Sequence, residues 1–129
     1  MGDELILLDT SILIDFFRKT DKRNSLLYSL AKEGYDFAVS AITTYEIYCG
    51  VNPMQLEYWE SFLSKTSILP FDVNVSIVAA SVNKELKKKN GLIETVDLLI
   101  ASTAIANNIP LATLNKKHFE RIEKLDLVN

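Results

Sequence analysis

Residues 5–17 read LILLDTSILIDFF, with a carboxylate, Asp9, set between two apolar runs. A lone charge in such surroundings is expensive unless it is paired, hydrogen-bonded or bound to a metal. Other acids interrupt apolar stretches in the same way: Glu46 in SAITTYEIYCG, Asp97 in TVDLLIASTAIANN, and Asp15. Each has an ordinary reading. Asp9 can cap a helix, Glu46 can sit at an edge in solvent, Asp97 suits the dipole of a first helical turn, and Asp15 can bond backbone or a nearby base. Brought together, they would do chemistry. Two carboxylates about 6 Å apart repel by roughly 3 kcal/mol at an effective dielectric near 20. Three cannot stay ionised together without protons or a cation. An all-oxygen set with no Cys/His cluster beside it selects Mg²⁺ or Mn²⁺ over Zn²⁺. A hard ion of that kind activates water and stabilises charge on a phosphoryl oxygen, which makes phosphodiester hydrolysis the natural reaction. The single histidine, His118, lies on a polar segment and reads as a surface residue rather than a ligand.

Strands and helices alternate around these positions. Residues 4–8 are strand-like, and Thr10 or Ser11 can cap a helix carrying Ile12, Leu13, Phe16 and Phe17. A second amphipathic pattern, Leu26, Leu27, Leu30 and Ala31, ends at Gly34. DFAVS is a short strand; Ser40 then caps a helix to about Cys49 with Gly50 after it, and Asn52-Pro53 starts another. SILPF is a third strand, followed by Val75, Val78, Ala79, Val82 and Leu86 at helical spacing up to Asn90-Gly91. The alanine-rich segment from Thr95 is apolar around most of its circumference, as a buried helix is. LAT is a fourth strand, a small helix starts near Lys116, and LDLV is a possible last strand. This alternation predicts an α/β fold with a mainly parallel sheet. Ligands in such folds bind beyond the carboxyl ends of the strands, where Asp9 falls.

The 129 residues predict one domain spanning residues 1–129, with 48% hydrophobic and 24% charged residues as in a globular protein. A formal net charge of −3 gives no global basic field, though it leaves room for a local patch. Cys49, the only cysteine, cannot form an internal disulfide, and Asp3 and Glu4 stand where a secretory signal would be basic, so a cytoplasmic setting is expected. No apolar run has the length of a membrane span. Other phosphate chemistries fail on particular residues. No Gly-rich loop carries Lys-Ser/Thr, no G-x-S-x-G elbow exists, and Ser11 stands where a haloacid-dehalogenase-like phosphatase would need a second Asp.

LLDTSILIDFF, VSAITTYEIYCGV, LPFD and NGLIETVDLLIASTAIANNIPLATLNKKHFERI follow one another over nearly the whole chain. In order and spacing they resemble the PIN-domain nucleases, and most of all the VapC-type toxins of toxin–antitoxin pairs. The resemblance implies a three-layer α/β/α sandwich and a Mg²⁺- or Mn²⁺-dependent endoribonuclease. Its acidic motif falls on Asp9, Glu46 and Asp97, with Asp9 and Asp97 as the more direct metal ligands and Glu46 holding the ion, its water or both. Ser11 matches a polar position that orients the first Asp. Thr113 and Asn115 match a T-x-D/N stretch where many relatives supply a fourth acid. Asn115 departs from that pattern and brings a second tightly held ion into question, with Glu94 as a replacement charge from the preceding loop.

The resemblance also implies an RNA substrate, an antitoxin protein partner and a homodimer. Tyr45, Tyr48, Tyr58 and Trp59 suit such an interface and suit core packing equally. RNA affinity leans on phosphate neutralisation, and two basic runs offer it: Arg18, Lys19, Lys22 and Arg23, or Lys84, Lys87, Lys88 and Lys89. Two alternatives stay open on sequence alone. One is a PIN nuclease of RNA processing with no antitoxin; the other is a non-catalytic interaction module, suggested by Asn115 and the acidic balance.

Overall fold

The computed structural model describes residues 4–128; Asp3, used above against a secretory signal, lies outside them. Strand β1 (Leu5–Leu8) sits inside a four-stranded sheet between β2 (Asp36–Ser40) and β4 (Leu111–Ala112), and β3 (Ser67–Leu69) adds to the far side of β2. Every pairing is parallel, with Leu8 opposite Val39 on one side and Ala112 on the other. The spatial order β3-β2-β1-β4 reverses direction between β1 and β4. That topological switch point is where an open parallel sheet leaves a crevice at its carboxyl edge.

Alternation along the strands divides the core into two layers. Leu7, Ala38 and Leu111 face one side, packed by α5 (Val73–Lys88), α6 (Thr95–Ala106) and the buried Phe119, Ile122 and Leu125. Ile6, Leu8, Val39 and Ala112 face the other, under α1 (Thr10–Arg18), α2 (Leu26–Lys32), α3 (Ala41–Gly50) and α4 (Pro53–Ser64). The result is the expected α/β/α sandwich. Helix α6 buries Leu98, Ile100, Ala101, Ser102, Thr103 and Ala104, and the hydroxyls of Ser102 and Thr103 donate back to the carbonyls of Leu98 and Leu99. Its polar residues therefore enter the core without an unpaired group.

Local signals account for most boundaries. Ser40 accepts from the Ile42 amide, and Asn52 with Gln55 forms a reciprocal capping box ahead of Pro53. Helix α2 ends as expected near Gly34, whose φ of 92° is a conformation that disfavours a side chain. Three expectations need correction. Gly50 is the last residue of α3 rather than the residue after it. LDLV forms no strand of its own and meets β4 only through a parallel bridge between Leu111 and Leu127. Asp9, not Thr10 or Ser11, occupies the cap position of α1, yet its side chain caps nothing.

The first basic run also divides. Lys22 points its ammonium into the end of α1, donating to the carbonyls of Phe16 at 2.6 Å, Phe17 at 2.8 Å and Lys19 at 2.9 Å, over the Phe16 ring. It neutralises the negative end of the helix dipole instead of facing a ligand. Arg23 is held by Asp21 in a two-bond pair.

Candidate active site

Asp9 leaves β1 at the switch point, and Thr113 leaves β4 beside it. The Asp9 carboxylate is buried, and its Oδ2 accepts from Ser11 Oγ at 2.8 Å and Thr113 Oγ1 at 2.7 Å. The amides of Leu114 and Asn115 donate to those two hydroxyls in turn, tying the loop after β4 to the start of α1. Both hydroxyls act on one oxygen; no hydrogen bond from the described residues reaches Asp9 Oδ1.

The same division recurs at the other two carboxylates. Glu46, in the second turn of α3, has Oε1 held by the Thr10 hydroxyl at 2.6 Å, which itself lies 3.0 Å from Thr43 Oγ1. Asp97, in the first turn of α6, has Oδ2 3.2 Å from His118 Nδ1. Each acid commits one oxygen to a protein donor and has none from the described residues on the other. Asp15 is different in kind: Oδ2 accepts from the Leu26 amide at 3.3 Å and Oδ1 pairs with Lys19 at 3.4 Å. With both oxygens engaged, it ties α1 to α2, the structural role its position allowed.

Asp9, Glu46 and Asp97 line one cavity of about 630 Å³, together with Ser11, Asp15, Arg18, Lys19, Leu114 and Asn115. Burial pushes the Asp97 carboxyl above the ordinary value of 3.8, and the charge of Asp9 adds to that, against the His118 hydrogen bond. Glu94 raises it further from the loop before α6. Glu94 therefore stands near Asp97, but in the wall of the neighbouring cavity with Lys117, His118 and Arg121. Among the described residues no three acidic, His or Cys groups close on a single point as a formed ligand set does. The three carboxylates share one cavity, whose basic lining residues are Arg18 and Lys19.

Two contributors were not read from sequence. Thr10 reads in sequence as a cap, and the residue its hydroxyl serves, Glu46, lies 36 positions away. His118 is exposed as expected, yet it bonds a site carboxylate. Of the two basic runs, Arg18 and Lys19 of the first line the cavity, and the second lies at the carboxyl end of α5, where Lys88 pairs with Glu85 and Lys89, just past the helix, with Glu123. Of the four aromatic residues set aside for an interface, Trp59 is core, whereas Tyr45, Tyr48 and Tyr58 are exposed.

The hydroxyls on Asp9 offer a direct test. Thr113→Val combined with Ser11→Ala leaves Asp9 unoriented and is expected to weaken Mn²⁺ binding by about 10–100-fold. Isothermal calorimetry reads this, and unaltered Mn²⁺ affinity would show that the two hydroxyls serve packing alone.

Comparison with known proteins gives a consistent result. The PIN domain family model matches residues 6–125. Ribonuclease VapC1 of Methanocaldococcus jannaschii is 39% identical over 95% of this chain and 84% of its own length. Ribonuclease VapC of Rickettsia bellii is 32% identical over 95% of this chain and 94% of its own. Among solved structures, VapBC2 from Rickettsia felis bound to a promoter DNA fragment superposes with a TM-score of 0.85 at 30% identity, covering 97% of this chain and 98% of that one. The DNA-bound VapBC from Salmonella typhimurium, at 23% identity and a TM-score of 0.84 over 98% of both chains, shares the fold.

Proposed function

The chain belongs to the PIN-domain family, in its VapC branch, and from that premise we propose that it is a divalent-metal-dependent endoribonuclease, the toxin of a toxin–antitoxin pair. The observation that carries the reading is the half-committed state of Asp9, Glu46 and Asp97. A protein donor orients one oxygen of each and, among the described residues, leaves the other without one, which is how surrounding groups prepare carboxylates for a cation. The all-oxygen donor set suits Mg²⁺ or Mn²⁺.

Asp9, at the end of β1, and Asp97, at the start of α6, would hold the ion, and Glu46 of α3 would hold the ion, its water or both. The bound ion would supply Lewis acidity for the scissile phosphate and a more acidic water. Ser11 and Thr113 fix Asp9 in one rotamer, Thr10 fixes Glu46, and His118 fixes Asp97. Asn115, in the same cavity wall, offers an amide for a phosphate oxygen or water where a fourth acid would repel one. Arg18 and Lys19 supply positive charge at the rim.

The antitoxin and dimer contacts are proposed on the same family ground, with the exposed Tyr45, Tyr48 and Tyr58 of α3 and α4 as the aromatic residues available to them. No helix among the described residues is long and apolar enough to cross a membrane. We place the protein in the cytoplasm as one domain acting on RNA. The test is cleavage of single-stranded RNA by the purified chain: activity with Mg²⁺ or Mn²⁺, loss in EDTA, and recovery on adding the ion back. EDTA-resistant cleavage, or none with either ion, would overturn the reading. Growth arrest on expression, relieved by a co-expressed antitoxin, separates a toxin from an RNA-processing nuclease.

A further inference from the structure

A second cleft, of about 510 Å³, opens next to the catalytic cavity and shares Leu114 and Asn115 with it. Its floor is apolar, from Leu26 and Leu30 of α2, Ala112 of β4 and Val128, and its rim carries Lys116, Lys117 and His118. No acid among the described residues lines it, in a chain whose net charge is −3. Cavities elsewhere on the protein, along α5, beside Leu92 and between α2 and the end of α4, each hold at least one acid. Both lysines are exposed, and neither is in an ion pair among the described residues, whereas Lys19, Lys88 and Lys89 are. Leu114 is an apolar side chain 49% exposed on the ridge between the two hollows. An exposed leucine between a carboxylate cavity and a lysine rim is placed for a ligand with a flat apolar part and an anionic part.

We propose that this cleft is a substrate subsite that receives the nucleotide next to the scissile phosphate of a single-stranded RNA, with Lys116 and Lys117 on its phosphates and Leu114 against a base. The inference rests on the ribonuclease reading and adds a path for the strand: out of the catalytic cavity, over Asn115, and into the cleft. It also gives position 115 a reason. A carboxylate at the junction would stand between the strand and the lysines; the neutral amide of Asn115 lets phosphate cross. RNA is favoured over an acidic polypeptide because the cleft is continuous with the cavity that holds the three carboxylates, and because its apolar floor suits a base.

The experiment is fluorescence anisotropy of a labelled single-stranded oligoribonucleotide with the full chain in EDTA, so that binding is read without cleavage. Each phosphate contact on a single strand contributes about 0.7 to the slope of log affinity against log salt. The Lys116→Gln/Lys117→Gln variant is expected to lose about 1.4 of that slope and roughly 25-fold in affinity at about 0.1 M salt. Leu114→Ser should weaken binding with the slope unchanged, because it removes a base contact and no charge. Both changes are at exposed positions, and circular dichroism melts check that the fold holds. Unchanged affinity and slope in the lysine variant would overturn the subsite, as would a loss confined to polyglutamate binding with RNA binding intact. Wild-type protein that cleaves no RNA with either ion would instead defeat the ribonuclease reading itself.

Discussion

Asp9→Asn is expected to abolish metal-dependent RNA cleavage while the protein still folds. A hard cation contributes several kcal/mol of charge stabilisation in the transition state, and about 4 kcal/mol is a factor of about 10³ in rate. Loss of kcat/KM by at least that factor is the expected result. The fold survives because Asn keeps the shape of Asp and an oxygen that accepts from Ser11 and Thr113. Asp9 is in no ion pair among the described residues, so no buried cation is stranded by the change. Turnover of a labelled RNA, Mn²⁺ calorimetry and a thermal melt are measured on the same preparation. Full activity, or wild-type Mn²⁺ binding, in the variant would remove Asp9 from the metal site.

The frame of this site was legible in the sequence because short-range rules determine it. An apolar run ending in Asp, a Ser before a helical pattern and an alanine-rich helix each specify an element without long-range help. Together these elements imply that Asp9 lies on the carboxyl edge of a parallel sheet. The less legible features depend on partners distant in the chain. Nothing near Thr10 says that its hydroxyl belongs to Glu46, and nothing near His118 says that it reaches Asp97. Charge was the weakest guide. Arg18, Lys19, Lys22 and Arg23 read as one basic patch, but the fold turns Lys22 into the end of α1 and gives Arg23 to Asp21. The unpaired lysines beside the site, Lys116 and Lys117, sit in a segment whose local pattern marks only a short helix.

The rank order of the acids likewise came from geometry. Asp9 and Asp15 are both carboxylates set among apolar residues in a single motif, one at the cap position of α1 and the other in its second turn. What separates them is where the bonds go. Asp15 has a donor on each oxygen and lies between an amide and an ammonium, so its charge is already compensated. Asp9 instead accepts two neutral hydroxyls on one oxygen and has no ion pair among the described residues.

The raised carboxyl of Asp97 predicts an inversion of stability. Its folded carboxyl titrates above 3.8 because burial and Asp9 oppose its charge. A raised carboxyl keeps its proton to higher pH in the folded state than in the unfolded one, so just above 3.8 the folded state holds more protons than the unfolded one. The stability it contributes is then complete below that value and lost as pH climbs through the raised one. Asp97→Asn removes the loss. Without divalent ions at neutral pH the variant should melt above the wild type, and the two melting temperatures should converge under acid conditions below 3.8. Mn²⁺ at a hundredfold excess over its Kd stabilises only the protein that binds it, by about 2.7 kcal/mol, which is about 10 °C for a chain of this size. The order of the two melts should therefore reverse on adding the ion, and RNA cleavage by the variant should fall as far as that of Asp9→Asn. A variant that melts below the wild type in EDTA at neutral pH would mean that Asp97 is compensated by the fold itself, and that no cation is needed to hold it.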